Sequence, residues 1–183
     1  MRTTTLSASR ERLRTALGVT GFAVALAAAS QVAIPVPGTP VPFTLQPLVV
    51  VLAGLWLGPA AGVASMLLYI AMGAMGLPVF APMGAPGIAR LFGPTGGYIL
   101  AYPATVWVVA MIAGDSKRYL RLAMAALAGM LVLHLGGFLQ LVLLTGSAAS
   151  AISLGVLPFI AFDALKAFIA GALSLSRGER TIA

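Results

Sequence analysis

The sequence predicts an all-α integral membrane protein, a single bundle of six transmembrane helices covering residues 1–183 with both termini cytoplasmic. Three observations carry this prediction. The chain is 60% hydrophobic and only 8% charged, whereas a soluble domain carries about 25% charged residues. That is too little charge to coat a water-facing surface. The apolar residues gather into stretches close to the ~20 residues needed to cross ~30 Å of hydrocarbon. Nine of the eleven basic side chains also fall on one side of a six-span layout, as the positive-inside rule requires.

The elements follow in order. Residues 17–34 form the first apolar stretch, preceded by a basic cytoplasmic segment (1–14) with Arg2, Arg10, Arg12 and Arg14. A proline-rich linker, "PVPGTPVPFTLQP", comes next. Residues 47–77 hold no charge at all. As one helix they would measure about 45 Å at 1.5 Å per residue, too long for one crossing without steep tilt. "GLWLGPAAG" supplies a break, because Pro59 disfavours helix at the preceding residue and Gly58 accepts a tight turn. Two spans are therefore expected here. After the loop "GLPVFAPMGAPGIARLFGPTGG", residues 98–113, 120–144 and 154–175 give the fourth, fifth and sixth spans.

Charge placement supports that count. Lys117, Arg118 and Arg121 lie between spans four and five, and Arg177 and Arg180 lie in the short C-terminal segment (177–183). A single span over 47–77 would put both clusters opposite the N-terminal arginines. The basic run followed by "AAASQ" also imitates a secretory signal cleaved after Ala29. A retained first span is favoured, since Ala23/Ala27 and Ala25/Ala29 are small residues four apart that suit close helix packing.

Three charges stand outside the topological pattern. Arg90 lies on an outer loop, and Asp163 and Lys166 lie inside span six. A charge within a membrane segment costs a few kcal/mol and usually faces the bundle interior or a cavity. Asp163 and Lys166 are three apart, so they share a helix face and can pair. A pair that only locks helix packing is one reading. Against it, apolar side chains do that work with less desolvation cost. Pro158, about a turn upstream, places the pair in the outer half of the span, at the depth of the Arg90 loop. Thr44, Gln46, Thr95 and Tyr98 bring hydrogen-bonding groups to the same side. Irregular Pro- and Gly-rich backbone at that depth is tolerated where it lines a cavity.

Several functions are excluded or disfavoured. No stretch fits G-x-x-x-x-G-K-[ST], so the chain holds no ATP in a P-loop. It has no cysteine, which removes disulfides and thiolate metal sites. His134 is the lone histidine, and it is expected to hydrogen-bond a neighbouring helix rather than serve a metal. The net charge of +7 comes without a dense basic stretch interleaved with aromatics, so no nucleic-acid partner is expected. Binding without bond-breaking is the favoured class, with no catalytic residues, no metal and no cofactor on this chain.

"VPGTPVPFTLQPLVVVLAGLWLGP", "GAMGLPVF", "RLFGPTGGY" and "DALKAF" together closely resemble the BioY family, the biotin-binding S components of energy-coupling-factor transporters. The resemblance covers residues 31–166. It implies a six-helix S-component bundle in a bacterial cytoplasmic membrane that captures biotin from outside. It also implies a transmembrane coupling subunit and a pair of ABC-type ATPases as partners, with ATP used only by the latter. The family's substrate residues map onto Arg90, Asp163 and Lys166, and its coupling-subunit contact onto Ala23/Ala27 or Ala25/Ala29. One departure is Pro47, which stands where the family often has threonine. The chemistry of biotin matches: an arginine fork suits its carboxylate, an ionised Asp accepts ureido N–H, and Lys donates to the ureido oxygen. Two alternatives stay open at this point, an S component for another vitamin and an intramembrane enzyme using Asp163 and His134.

Overall fold

The computed structural model describes residues 2–175, with side chains from residue 9 onward. Arg177 and Arg180 lie outside the described residues, as does the side chain of Arg2. Six α-helices follow one another: α1 (Arg2–Gln31), α2 (Gln46–Ala74), α3 (Gly96–Ala113), α4 (Tyr119–Thr145), α5 (Ala148–Gly155) and α6 (Ile160–Leu175). A two-residue antiparallel bridge pairs Ala33 with Thr44 and Ile34 with Phe43. A 3₁₀ helix runs over Gly87–Phe92. Among the described residues, four helices are long and apolar enough to cross a membrane, or five if the bent α5–α6 pair is one span.

α1 begins earlier and ends earlier than the 17–34 stretch. It stops at Gln31 because Pro35 and Pro37 interrupt the chain just beyond, and the residue before a proline is pushed to extended backbone. Ala33–Ile34 accordingly becomes a strand. The break expected within 47–77 is present. Gly58 leaves helical geometry with φ 78° and ψ −177°, a left-handed φ that an L side chain adopts only with strain. The chain thus forms two helical pieces of about 18 Å and 24 Å at 1.5 Å per residue, joined at Gly58–Pro59. The 154–175 stretch is also divided: turns occupy 156–159 around Pro158, and α6 starts at Ile160. The two parts are bent by 53°. Asp163 therefore sits in the first turn of α6 rather than mid-helix.

Packing explains which face of each helix turns inward. On α4, Leu131, Leu135, Leu139 and Leu143 recur every four residues and are exposed, at 69%, 55%, 53% and 82%. Such an apolar outer stripe is suited to lipid. Met130, Leu133, His134, Gly137 and Leu141 occupy the opposite, buried face. α2 lies against α1, α3, α4 and α6, so its two pieces form the centre of the bundle. α3 and α4 approach closely where Gly97 meets Gly136: a Cβ on Gly97 would sit 2.2 Å from the Gly136 carbonyl. Only small residues permit that crossing, and it brings Tyr98 against Gly137 beside His134.

Candidate functional site

The ends of these helices beside the 35–45 linker enclose a cavity, and their termini decide what faces it. The linker before α2, with its bridge strand, delivers Val41, Pro42 and Thr44; the start of α2 delivers Gln46 and Pro47; the 3₁₀ helix delivers Arg90. Thr95, Tyr98, Ile99 and Tyr102 come from the start of α3, Leu133 and His134 from α4, and Phe159, Asp163 and Lys166 from the turn into α6. The non-atom space there, open mouth included, is about 590 Å³. Every residue read from the sequence as a substrate-site candidate (Arg90, Asp163, Lys166, Gln46, Thr44, Tyr98 and Thr95) lines this space.

At the α6 side the expected pair forms. Lys166 Nζ donates to Asp163 Oδ1 at 2.7 Å and to the backbone carbonyl of Thr44 at 2.8 Å. The ammonium also stands 4.0 Å from the centre of the Phe43 ring, a cation–π placement. Asp163 has a second neighbour, His134, whose Nε2 lies 3.1 Å from Oδ2. All three side chains are buried. Taking charges out of water is costly unless they are paired and hydrogen-bonded, and here each oxygen of the carboxylate faces a nitrogen. His134 comes within ion-pair distance of the neighbouring helix but without the aligned hydrogen bond expected of it, and it also lines the cavity.

Arg90 lies in the 3₁₀ helix of the loop between α2 and α3, and it is buried there, with 5% exposure. Its guanidinium gathers the chain around itself, with Nη2 donating to the Ala81 carbonyl at 2.6 Å, Nε to Ala85 at 3.0 Å, and Nη1 to Met83. Irregular backbone cannot satisfy its own carbonyls, and the five N–H groups of arginine supply what is missing. Three donor atoms thus organise the 81–85 loop, and N–H groups remain for a further acceptor. Burial lowers the Arg90 pKa from its ordinary value, and the charge interaction with Tyr69 acts in the opposite sense. A second cavity, lined by Pro40, Met83, Gly84 and Pro94 among others, shares Arg90 and Thr95 with the first.

The remaining candidates hold the walls in place. Gln46 Nε2 donates to the Tyr69 hydroxyl at 2.8 Å. Tyr98 donates its hydroxyl to the Gly155 carbonyl at 2.6 Å, and Thr39 Oγ1 donates to Leu154 at 2.5 Å. These bonds fasten α3 and the 35–42 linker to the end of α5. Thr95 precedes α3 without forming a side-chain cap. The alanines of α1 do not share one face. Ala23 and Ala29 are buried in the bundle, Ala27 is half-buried, and Ala25 is exposed. Ala23 and Ala29 thus pack within this chain, which leaves Ala25 as the member of the set on the outer face.

The wall's formal charges are Arg90, Lys166 and Asp163, a net of +1 with His134 neutral. A cavity with this charge and these polar side chains suits a small monoanion that also carries hydrogen-bonding groups. The model of the BioY family matches residues 2–181. The chain belongs to the BioY family. A relative from Pyrococcus horikoshii, described as a probable biotin transporter BioY, is 47% identical over 128 residues, which is 70% of this chain and 75% of that protein. The biotin transporter BioY of Thermotoga maritima is 34% identical over 142 residues, covering 78% of this chain and 83% of its own length. A crystal structure of the S-component for biotin from an ECF-type ABC transporter superposes with a TM-score of 0.85 at 23% identity. It covers 93% of this BioY-family chain and 95% of its own, a match of fold.

Proposed function

We propose that this chain is the substrate-specific S component of an energy-coupling-factor transporter and that it captures biotin for uptake across the cytoplasmic membrane. The observation that carries the reading is the net +1 cavity with a buried Asp163–Lys166–His134 cluster on one side and Arg90 on another, in a chain of the BioY family. Biotin presents one carboxylate, a cyclic urea with two N–H donors and a carbonyl acceptor, and an apolar thioether ring. The free N–H groups of Arg90 suit the carboxylate. Asp163 accepts from the urea, and Val41, Leu133 and Phe159 cover the apolar ring. The cavity that shares Arg90 and Thr95 is the proposed approach from outside.

The same reading carries the topology and the partners. Two crossings by the halves of α2 and one by α5–α6 give six membrane spans with both termini cytoplasmic. The chain itself catalyses nothing and needs no cofactor; the energy comes from ABC-type ATPases through a transmembrane coupling subunit. The outer face of α1 around Ala25 is the proposed contact with that subunit. Mass spectrometry of small molecules released from the purified chain tests the assignment. Biotin is the expected ligand, and a different vitamin in its place would keep the fold but overturn the substrate.

A further inference from the structure

We infer that His134 is itself a ligand-contacting residue, accepting through Nδ1 a hydrogen bond from one of the two N–H groups of the cyclic urea; the inference rests on the reading of the cavity as a biotin site. His134 is 8% exposed and lines the cavity. Both ring nitrogens are buried, and neither has an aligned hydrogen-bond partner among the described residues. Nε2 lies 3.1 Å from Asp163 Oδ2, at ion-pair distance but off the line of a straight hydrogen bond. A carboxylate offers only lone pairs, so the ring nitrogen facing it carries the proton. In a neutral imidazole Nδ1 is then a bare acceptor.

Among the described residues no donor reaches it. The neighbouring Tyr98 ring meets that of His134 in a T-shaped contact, and its hydroxyl donates to Gly155. Lys166 is engaged by Asp163 and Thr44. Arg90 holds the 81–85 carbonyls. Buried acceptors are seldom left without a donor, and an exception points to a partner from outside the chain or a functional role. A cyclic urea carries two N–H groups, one on each side of its carbonyl. Asp163 takes one, and the adjacent His134 takes the other. This pairing makes the site sensitive to which of the two N–H groups is present.

The test uses the full-length chain in detergent and competition against radiolabelled biotin. The competitors are biotin and its two cyclic-carbamate analogues, in which oxygen replaces one or the other ureido N–H. Against the native chain, each carbamate is expected to bind roughly tenfold or more weakly, since each loses one hydrogen bond. In His134→Leu, biotin and one carbamate are expected to bind equally, while the other carbamate keeps its deficit. His134→Gln retains an acceptor oxygen and is expected to keep part of the lost discrimination. Parallel loss for biotin and both carbamates in these variants would assign His134 to holding Asp163 and overturn the ligand contact. Should the variants fail to fold, the native chain decides, because either carbamate binding like biotin overturns the inference. A native chain with no affinity for biotin would instead overturn the reading of the site, and this inference with it.

Discussion

The Asp163–Lys166 pair separates a binding site from a packing device, and a double-mutant cycle measures the difference. Lys166→Met removes the ammonium while keeping an apolar stem of similar length. Asp163 Oδ1 then loses its 2.7 Å partner, and the Thr44 carbonyl loses its 2.8 Å donor. Removing one partner of a buried ion pair costs about 3–5 kcal/mol, because the other charge is left uncompensated. For a chain of this length that corresponds to a fall in melting temperature of roughly 6–20 °C. Asp163→Leu strands the ammonium instead, with a similar loss. The double variant Asp163→Leu/Lys166→Met buries no charge at either position, so it is expected to recover most of the stability, as replaced buried pairs often do. The assays are thermal unfolding without ligand and equilibrium binding of biotin. A stable double variant that no longer binds biotin is the expected result. A double variant that binds biotin like the native chain would refute the reasoning and leave the pair as a packing device. So would a Lys166→Met chain whose melting temperature does not move.

Further expectations follow from the same geometry. Biotin amide is expected to bind the native chain about tenfold or more weakly than biotin, since a charge-assisted hydrogen bond is worth about 1.5–3 kcal/mol. Arg90→Ala is expected to erase most of that preference, and competition binding with acid and amide reads it, with loop damage largely cancelling in the comparison. Single cysteines at Ser9 and Lys117 are expected to react with an impermeant reagent from the same side of the membrane, and one at Ala149 from the other. Labelling of Ser9 and Lys117 variants from opposite sides would mean that α2 crosses once. Ala25→Leu is expected to weaken co-purification of the coupling subunit while leaving biotin binding intact, because Ala25 is exposed and distant in sequence from the cavity walls.

Much of this arrangement was legible in the sequence for definite physical reasons. The charge-free 47–77 stretch was too long for one straight crossing, and Pro59 after Gly58 marked where it bends. Asp163 and Lys166 stood out because few charges are tolerated in an apolar helix, and their spacing of three put them on one face. The contacts of Arg90 were not legible. Whether a loop arginine is free or binds backbone carbonyls depends on how Ala81, Met83 and Ala85 fold around it, and no local pattern in the sequence encodes that. The inward face of α1 was hidden for a different reason: a run of alanines offers too little contrast to distinguish Ala23 from Ala25. His134 left a usable signal that the apolar setting masked. The leucines at 131, 135, 139 and 143 mark the outer stripe of α4, and His134 falls on the buried side with Met130, Gly137 and Leu141.

Equilibrium binding of radiolabelled biotin to the purified chain alone, without coupling subunit or ATPases, tests the central claim most directly. The account predicts saturable binding to a single class of sites, displaced by unlabelled biotin and abolished in the stable Asp163→Leu/Lys166→Met variant. Saturable binding that persists in that variant, or a folded native chain that takes up no biotin, would contradict it.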